Sequence, residues 1–284
     1  MSETPAPAAP QAQHAVNQHG EAQNQEQPTT PEVPAAAPEP GAFIGRSEEL
    51  NQIDRWVAEW HNWRTICLGG PGGIGKTRLL HELWQRWRSR ALTGTKNLRL
   101  LELLDFDEAY LRVPQNIRWR IATQLGLASF EPYRTALQDY RRMEEQGGYS
   151  SDALNRQREQ IETTFVGCFD AVAKQQPLLI GFDTLDAIQQ PETRQSLIDL
   201  LQELQHVCFI VAGRNAGELS EQLRQRVNQP VEYLELQLLQ STDSVAYVER
   251  QKELLHTQFD PELVEKSSFW PRASRFCLIW QPSG

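Results

Sequence analysis

The sequence predicts a three-layer α/β sandwich built around a five-stranded parallel sheet. Three observations carry that reading. Short runs that are apolar throughout, such as Leu178 to Phe182 and Val207 to Val211, have the composition of strands buried on both faces. Segments with helical spacing separate these runs, as the crossovers between parallel strands require. A glycine cluster, Gly70 to Gly75, stands between the first apolar run and the helix that follows it.

The first 40 residues lie outside this pattern. They hold eight Pro, nine Ala and six Gln, no aromatic residue, and only Val16 and Val33 as β-branched aliphatics. Such a segment cannot bury enough apolar surface to offset its ordering entropy, so residues 1–40 are expected to be a disordered, partly extended arm. Order is expected from about Phe43. Ser47 is a candidate helix N-cap before Glu48 and Glu49, and Leu50, Ile53, Val57 and Trp60 recur at helical spacing. Thr65 to Leu68 reads as a buried strand. The helix beyond the glycines carries Leu79, Leu80, Leu83, Trp84, Trp87 and Ala91 on one face. Further strands are expected at Leu98 to Leu104, Leu178 to Phe182, Val207 to Val211 and Val231 to Leu236, with the longest helical stretch between Asp105 and Pro177. Beyond them Val245, Val248 and Leu255 are spaced as on an amphipathic helix, and Pro261 opens another.

Charge narrows the function classes. The 284 residues hold 28 Lys+Arg against 37 Asp+Glu, a net charge of -9. The first 40 residues contribute five Glu and no Lys or Arg, which leaves the rest only four charges short of neutral. A general nucleic-acid binder shows a basic excess, so the balance argues against nucleic acid as a partner. The cluster Arg78, Arg86, Arg88 and Arg90 with Trp84 and Trp87 points the other way, but helical phase buries both Trp and leaves the Arg residues on a solvated face. No stretch approaches the roughly 20 apolar residues that span a bilayer. The N-terminus lacks the cationic start and apolar core of a secretory signal, so no membrane partner and a cytoplasmic location are expected. Cys67, Cys168, Cys208 and Cys277 are far apart, and three of them sit among apolar neighbours, as reduced structural cysteines do.

The most specific pattern is Gly70-Pro71-Gly72-Gly73-Ile74-Gly75-Lys76-Thr77, which meets GxxxxGK[ST] at every fixed position and lies between a strand and a helix. Its glycines let the backbone wrap an anion with N–H groups pointing inward, and the helix N-terminus adds a positive dipole end. On this reading Lys76 reaches the β- and γ-phosphates of ATP, the Thr77 hydroxyl holds Mg²⁺, and Arg78 joins the nucleotide-binding set. A metal-side acid is then needed at the end of another strand, and Asp183 ends the run from Leu178. Asp186 has two readings: it orients or deprotonates the attacking water, or it N-caps the following helix. Arg214, in Gly213-Arg214-Asn215 after the next strand, would stand beside Asp183 within reach of the γ-phosphate.

The opening Phe43-Ile44-Gly45-Arg46-Ser47-Glu48-Glu49-Leu50 is similar to an FxGR-x-x-EL pattern. Together with the glycine loop, the Asp183 strand, the Ala212-Gly213-Arg214 ending and Leu234-Glu235-Leu236 before Ser241-Thr242-Asp243-Ser244, it resembles the STAND branch of the AAA-related P-loop ATPases. That group includes NB-ARC domains and bacterial regulators. The resemblance covers about residues 43–265. It implies a P-loop NTPase domain over 41–238 with sheet order 5-1-4-3-2, the start of a helical lid over 239–266, and Gly45 and Arg46 near the nucleotide base. It also implies a switch in which ADP holds a closed form and ATP an open one, with slow hydrolysis and with self-association or downstream protein partners. One position departs. Many members carry a second acid directly after the Mg²⁺ acid, and Thr184 stands there, so the hydrolytic role falls to Asp186 or to nothing. In the second case the domain is a non-hydrolysing, ATP/ADP-gated interaction module; a nucleic-acid-associated ATPase is a third, weaker reading.

From Ser267 to Ser274 the helical periodicity stops, where the resemblance implies an apolar helix and a Gly-x-Pro lid motif. One permitted codon choice for Ser267 to Phe276, read one base earlier after an A, spells Ile-Ile-Phe-Leu-Ala-Ala-Gly-Lys-Pro-Phe. Residues 267–284 are therefore read either as a frameshifted end or as a divergent, frayed terminus.

Overall fold

A computed structural model describes residues 44–92, 98–239 and 243–245, without the side chains of residues 91 and 92. The chain divides between Ala37 and Pro38, and every described residue belongs to the second unit. The expected arm at 1–40, most of the expected lid segment and the off-pattern end at 267–284 lie outside the described residues.

The strands are β1 (Trp63–Gly69), β2 (Arg99–Leu100), β3 (Leu104–Asp105), β4 (Leu178–Asp183), β5 (Val207–Ala212) and β6 (Val231–Glu235). The helices are α1 (Ser47–Ala58), α2 (Lys76–Leu92), α3 (Pro114–Leu125), α4 (Glu131–Gln146), α5 (Ser151–Ala173), α6 (Pro191–Glu203) and α7 (Ala216–Arg226). All strand pairs are parallel, in the order β2-β4-β5-β1-β6, with β3 also paired to β4. Counting β2 and β3 as one interrupted strand gives the expected order 5-1-4-3-2.

That interruption departs from the single strand expected over Leu98 to Leu104. The ladder continues through Leu101, whose N–H donates to the Leu179 carbonyl at 3.0 Å. The Leu101 carbonyl, however, accepts the Trp84 indole N–H at 2.6 Å, and the Glu102 N–H donates to the Gln124 side chain at 2.7 Å. Side chains from α2 and α3 thus take up the buried Leu101 carbonyl and the exposed Glu102 N–H in place of a continuous ladder. Leu103 turns onto Gly181, where a Cβ would collide with it and with the Trp84 ring.

Alternate residues of each central strand feed opposite layers. Ile66, Leu68, Leu179, Cys208, Ile210 and Ala212 pack against α1 and α2, together with Leu50, Ile53, Val57, Leu79, Leu83, Trp84 and Trp87. Cys67, Leu178, Ile180, Phe182, Val207, Phe209 and Val211 pack against α3 to α7. Both faces are apolar, as parallel sheets covered on two sides require. Trp84 and Trp87 are buried, as helical phase predicts, while Arg86 pairs with Glu82 and Arg90 with Asp54. Cys67, Cys168 and Cys208 are buried and free. Among the described residues no helix is long and apolar enough to cross a membrane.

The start of α1 corrects one expectation. Ser47 is the first helical residue, and the capping position belongs to Arg46 in a left-handed conformation (φ 58°) with no side-chain cap. The turn at Gly45 and Arg46 instead directs the arginine side chain inward.

Candidate functional site

The carboxyl ends of β1, β3, β4 and β5 converge on one sheet edge, the place where ligands bind in open α/β folds. After Gly69 the chain turns through Gly70 (φ 128°), Gly73 (φ 76°) and Gly75 (φ 100°) into α2, using backbone conformations that L side chains rarely adopt. A Cβ on Gly75 would meet nothing within 4 Å, whereas one on Gly70 would come to 2.9 Å from the Leu236 carbonyl. Pro71, Gly72 and Gly73 are exposed, so the loop presents its backbone outward. The Lys76 ammonium curls back over the loop and donates to the carbonyls of Gly70 (2.8 Å) and Pro71 (2.9 Å). Burial lowers its pKa below the usual lysine value, Asp186 and Asp183 raise it, and Arg214 lowers it. These four side chains therefore share one electrostatic environment.

Asp183 is 3% exposed and ends β4 on the α2 side of the sheet. The Thr184 N–H donates to its Oδ1 at 2.8 Å, and the Thr77 side chain lies beside the carboxylate. Burial raises the Asp183 pKa; the neighbouring Thr77 side chain, the Thr184 N–H and His81 oppose the rise, while Asp105 adds to it. Thr184 stands in a left-handed conformation (φ 54°), so the position after the acid is a turn, and its side chain carries no carboxylate. Asp105 stands opposite Asp183 in the parallel register, a position that sequence reasoning did not single out. It ends the leucine-rich run from Leu98, which Arg99 and Glu102 interrupt, as Asp183 ends the run from Leu178.

Asp186 lies in a short 3₁₀ turn, Leu185–Ala187, and does not cap the helix that follows, whose N-cap is Gln190. Its carboxylate crosses to the next strand's loop. There Oδ1 accepts the Arg214 backbone N–H at 2.9 Å, and Oδ2 is 3.3 Å from the Arg214 Nε. Gly213 permits this approach, since a Cβ there would come to 2.6 Å from that of Leu185. The Arg214 guanidinium lies against the glycine loop: a Cβ on Gly72 would be 3.2 Å from its Nη2. Arg214 thus spans from Asp186 to the rim of the loop while remaining largely exposed.

Gly45 and Arg46 reach the same region from α1. The Arg46 guanidinium donates to Glu49 (2.9 Å), to the Ile74 carbonyl in the glycine loop (2.8 Å) and to the Gln237 carbonyl beyond β6 (2.8 Å). Gly45 (φ 78°) lies against Asp243, where a Cβ would come to 2.8 Å from the carboxylate. Arg78, one residue after Thr77, is half-buried at the start of α2.

The donor set fits a nucleotide with a hard divalent cation. A glycine loop opening a helix supplies backbone N–H groups to phosphate, and Thr77 with Asp183 supplies oxygen ligands of the kind Mg²⁺ takes. Among the described residues no three His, Cys, Asp or Glu side chains are grouped to hold a metal by themselves. A cation at Thr77 and Asp183 would complete its shell from phosphate and water, the usual arrangement for Mg²⁺. The sequence profile of the AAA ATPase domain matches residues 42–210, more than half of the chain. The chain belongs to the AAA ATPase domain family. Solved AAA-type folds agree in architecture. The Orc1 protein of Aeropyrum pernix, in complex with DNA, superposes with a TM-score of 0.52 at 17% identity, covering 78% of this chain and 52% of that one. Cdc6p of Pyrobaculum aerophilum gives 0.50 at 16% identity with the same coverage. An uncharacterized WD repeat-containing protein of Nostoc sp. is 39% identical over 85 residues, 30% of this chain and 5% of that protein. This AAA ATPase domain chain thus spans about half the length of the solved structures it matches and a small fraction of its curated relative.

Proposed function

We propose that this AAA ATPase domain binds ATP and ADP with Mg²⁺, hydrolyses ATP slowly, and works as a STAND-type regulatory switch. The observation that carries the reading is a complete glycine loop opening α2 beside the buried Asp183 at the end of β4, with Lys76 bonded over the loop and Arg214 reaching from Asp186 to Gly72. In this assignment the loop N–H groups from Gly70 to Gly75 and the α2 N-terminus, with Arg78 beside it, hold the phosphates. Lys76 exchanges its carbonyl contacts for phosphate oxygens. Thr77 and Asp183 hold Mg²⁺, which supplies charge neutralisation between the phosphates. Arg214 turns from Asp186 toward the γ-phosphate and distinguishes ATP from ADP, the step a switch requires. Gly45 and Arg46 support the loop from the base side. Residues 41–238 form the nucleotide domain, residues 239–266 begin a lid, and self-association or a downstream protein reads the bound state.

A second reading has its own support. Thr184 replaces the acid beside Asp183, and both Asp186 oxygens are engaged by Arg214, so the domain would bind nucleotide as a gated interaction module without turnover. Calorimetry with ATP and ADP in Mg²⁺ tests the binding that both readings need; no uptake of either nucleotide overturns them. Steady-state phosphate release separates them. A DNA-bound state belongs to the Aeropyrum protein; here the Arg86–Glu82 and Arg90–Asp54 pairs and the buried Trp residues of α2 favour no nucleic-acid role, and salt-dependent DNA binding by this chain would reverse that view.

A further inference from the structure

Thr184 follows Asp183, and in this structure both Asp186 oxygens face Arg214. A third carboxylate is at hand. Asp105 is the parallel register partner of Asp183, one strand away, and the Phe106 N–H donates to the Asp183 carbonyl at 3.1 Å, which fixes the two residues side by side. Register partners in adjacent strands lie about 4.8 Å apart and project to the same face of the sheet. The neighbours Leu104 and Phe182 pack into the α3–α7 layer, so Asp105 and Asp183 both belong to the α2 side, where Thr77 and His81 stand. Asp105 is half-buried, and its Oδ1 accepts the Asp107 N–H at 2.9 Å, which sets the carboxylate plane. Among the described residues no other hydrogen bond or ion pair engages the Asp105 carboxylate.

We infer that Asp105 is the second acidic group of the metal side: a positioning residue that accepts hydrogen bonds from water in the divalent cation's shell, opposite Thr77 across Asp183. The role rests on the nucleotide reading above. It requires a carboxylate beside, and not bound to, the metal-holding acid, with one oxygen anchored and one available, and Asp105 meets that requirement. Two carboxylates on neighbouring strands repel in the absence of a cation, so their placement is favourable once a divalent charge lies between them and the phosphates. Outer-shell partners of this kind typically change metal affinity by 10–100-fold.

The test uses the whole chain with Mn²⁺ and ADP, reading bound Mn²⁺ by electron paramagnetic resonance across a titration. Asp105→Asn should weaken Mn²⁺ binding to the ADP complex by roughly 10–100-fold, while ADP affinity measured in EDTA stays within about twofold of the parent. Asp105→Glu, which keeps the charge, should recover part of the loss. Thermal unfolding of both variants without nucleotide verifies that they fold. Equal Mn²⁺ affinity in the parent chain and Asp105→Asn overturns the role of Asp105 and leaves the nucleotide reading intact. A parent chain that takes up neither ADP nor Mn²⁺ overturns the nucleotide reading and this inference with it.

Discussion

Lys76 is the residue on which the phosphate assignment turns. It is a buried-edge cation whose two hydrogen bonds are to main-chain carbonyls, contacts that a phosphate can replace with a stronger, charge-assisted pair. Lys76→Ala should therefore abolish tight ATP and ADP binding in calorimetry with little effect on folding; affinity equal to the parent would sink the assignment. Asp186 is a different case. The geometry makes it the partner of Arg214, tied through both main chain and side chain. Asp186→Asn should release the guanidinium and alter the ratio of ATP to ADP affinity. Its turnover should stay within about tenfold of the parent. General-base groups typically contribute 10²–10⁴-fold, so a loss in that range would return Asp186 to the water.

At the level of elements, the close fit between α2 and β4 holds the glycine loop and the Asp183 strand together. Gly181 is the point of closest approach, with Trp84 and Leu103 over it and the Trp84 indole bonded to Leu101. Gly181→Ala should overpack this junction and cost about 1–3 kcal/mol. At roughly 2–4 °C per kcal/mol for a domain of this size, thermal unfolding should move down by several degrees; an unchanged midpoint would show that the junction yields freely. Much of this architecture was legible beforehand. Runs such as Leu178 to Phe182 can bury both faces only in a covered parallel sheet, and the glycine loop fixes the strand and helix on either side of it. The interruption between β2 and β3 was not legible, because it depends on the Trp84 indole and the Gln124 amide arriving from other helices. Nor was the Asp186–Arg214 pairing, which joins loops 28 residues apart, or the inward turn of Arg46, which needs a left-handed residue where a serine cap was the simpler reading.

Across the whole molecule, the two packed layers seal the central strands from solvent. Burial pushes the thiols of Cys67 and Cys208 up to about 12, although Arg224 and Arg64 respectively act to lower them. The thiolate fraction is therefore held low, and both residues are buried. In a chain with Cys168→Ser and Cys277→Ser, iodoacetamide should label the folded protein slowly and the urea-unfolded protein fast. Rapid labelling of the native state would mean that the sheet opens. The Arg46 tie has a consequence of another kind. Two of its three acceptors, at Ile74 and Gln237, are main-chain carbonyls, which every amino acid carries. Substitution at 74 or 237 can thus preserve the connection between the glycine loop and the chain leaving β6, whereas substitution at 46 removes it. Mutational tolerance around this junction is accordingly one-sided, with the constraint concentrated in a single arginine.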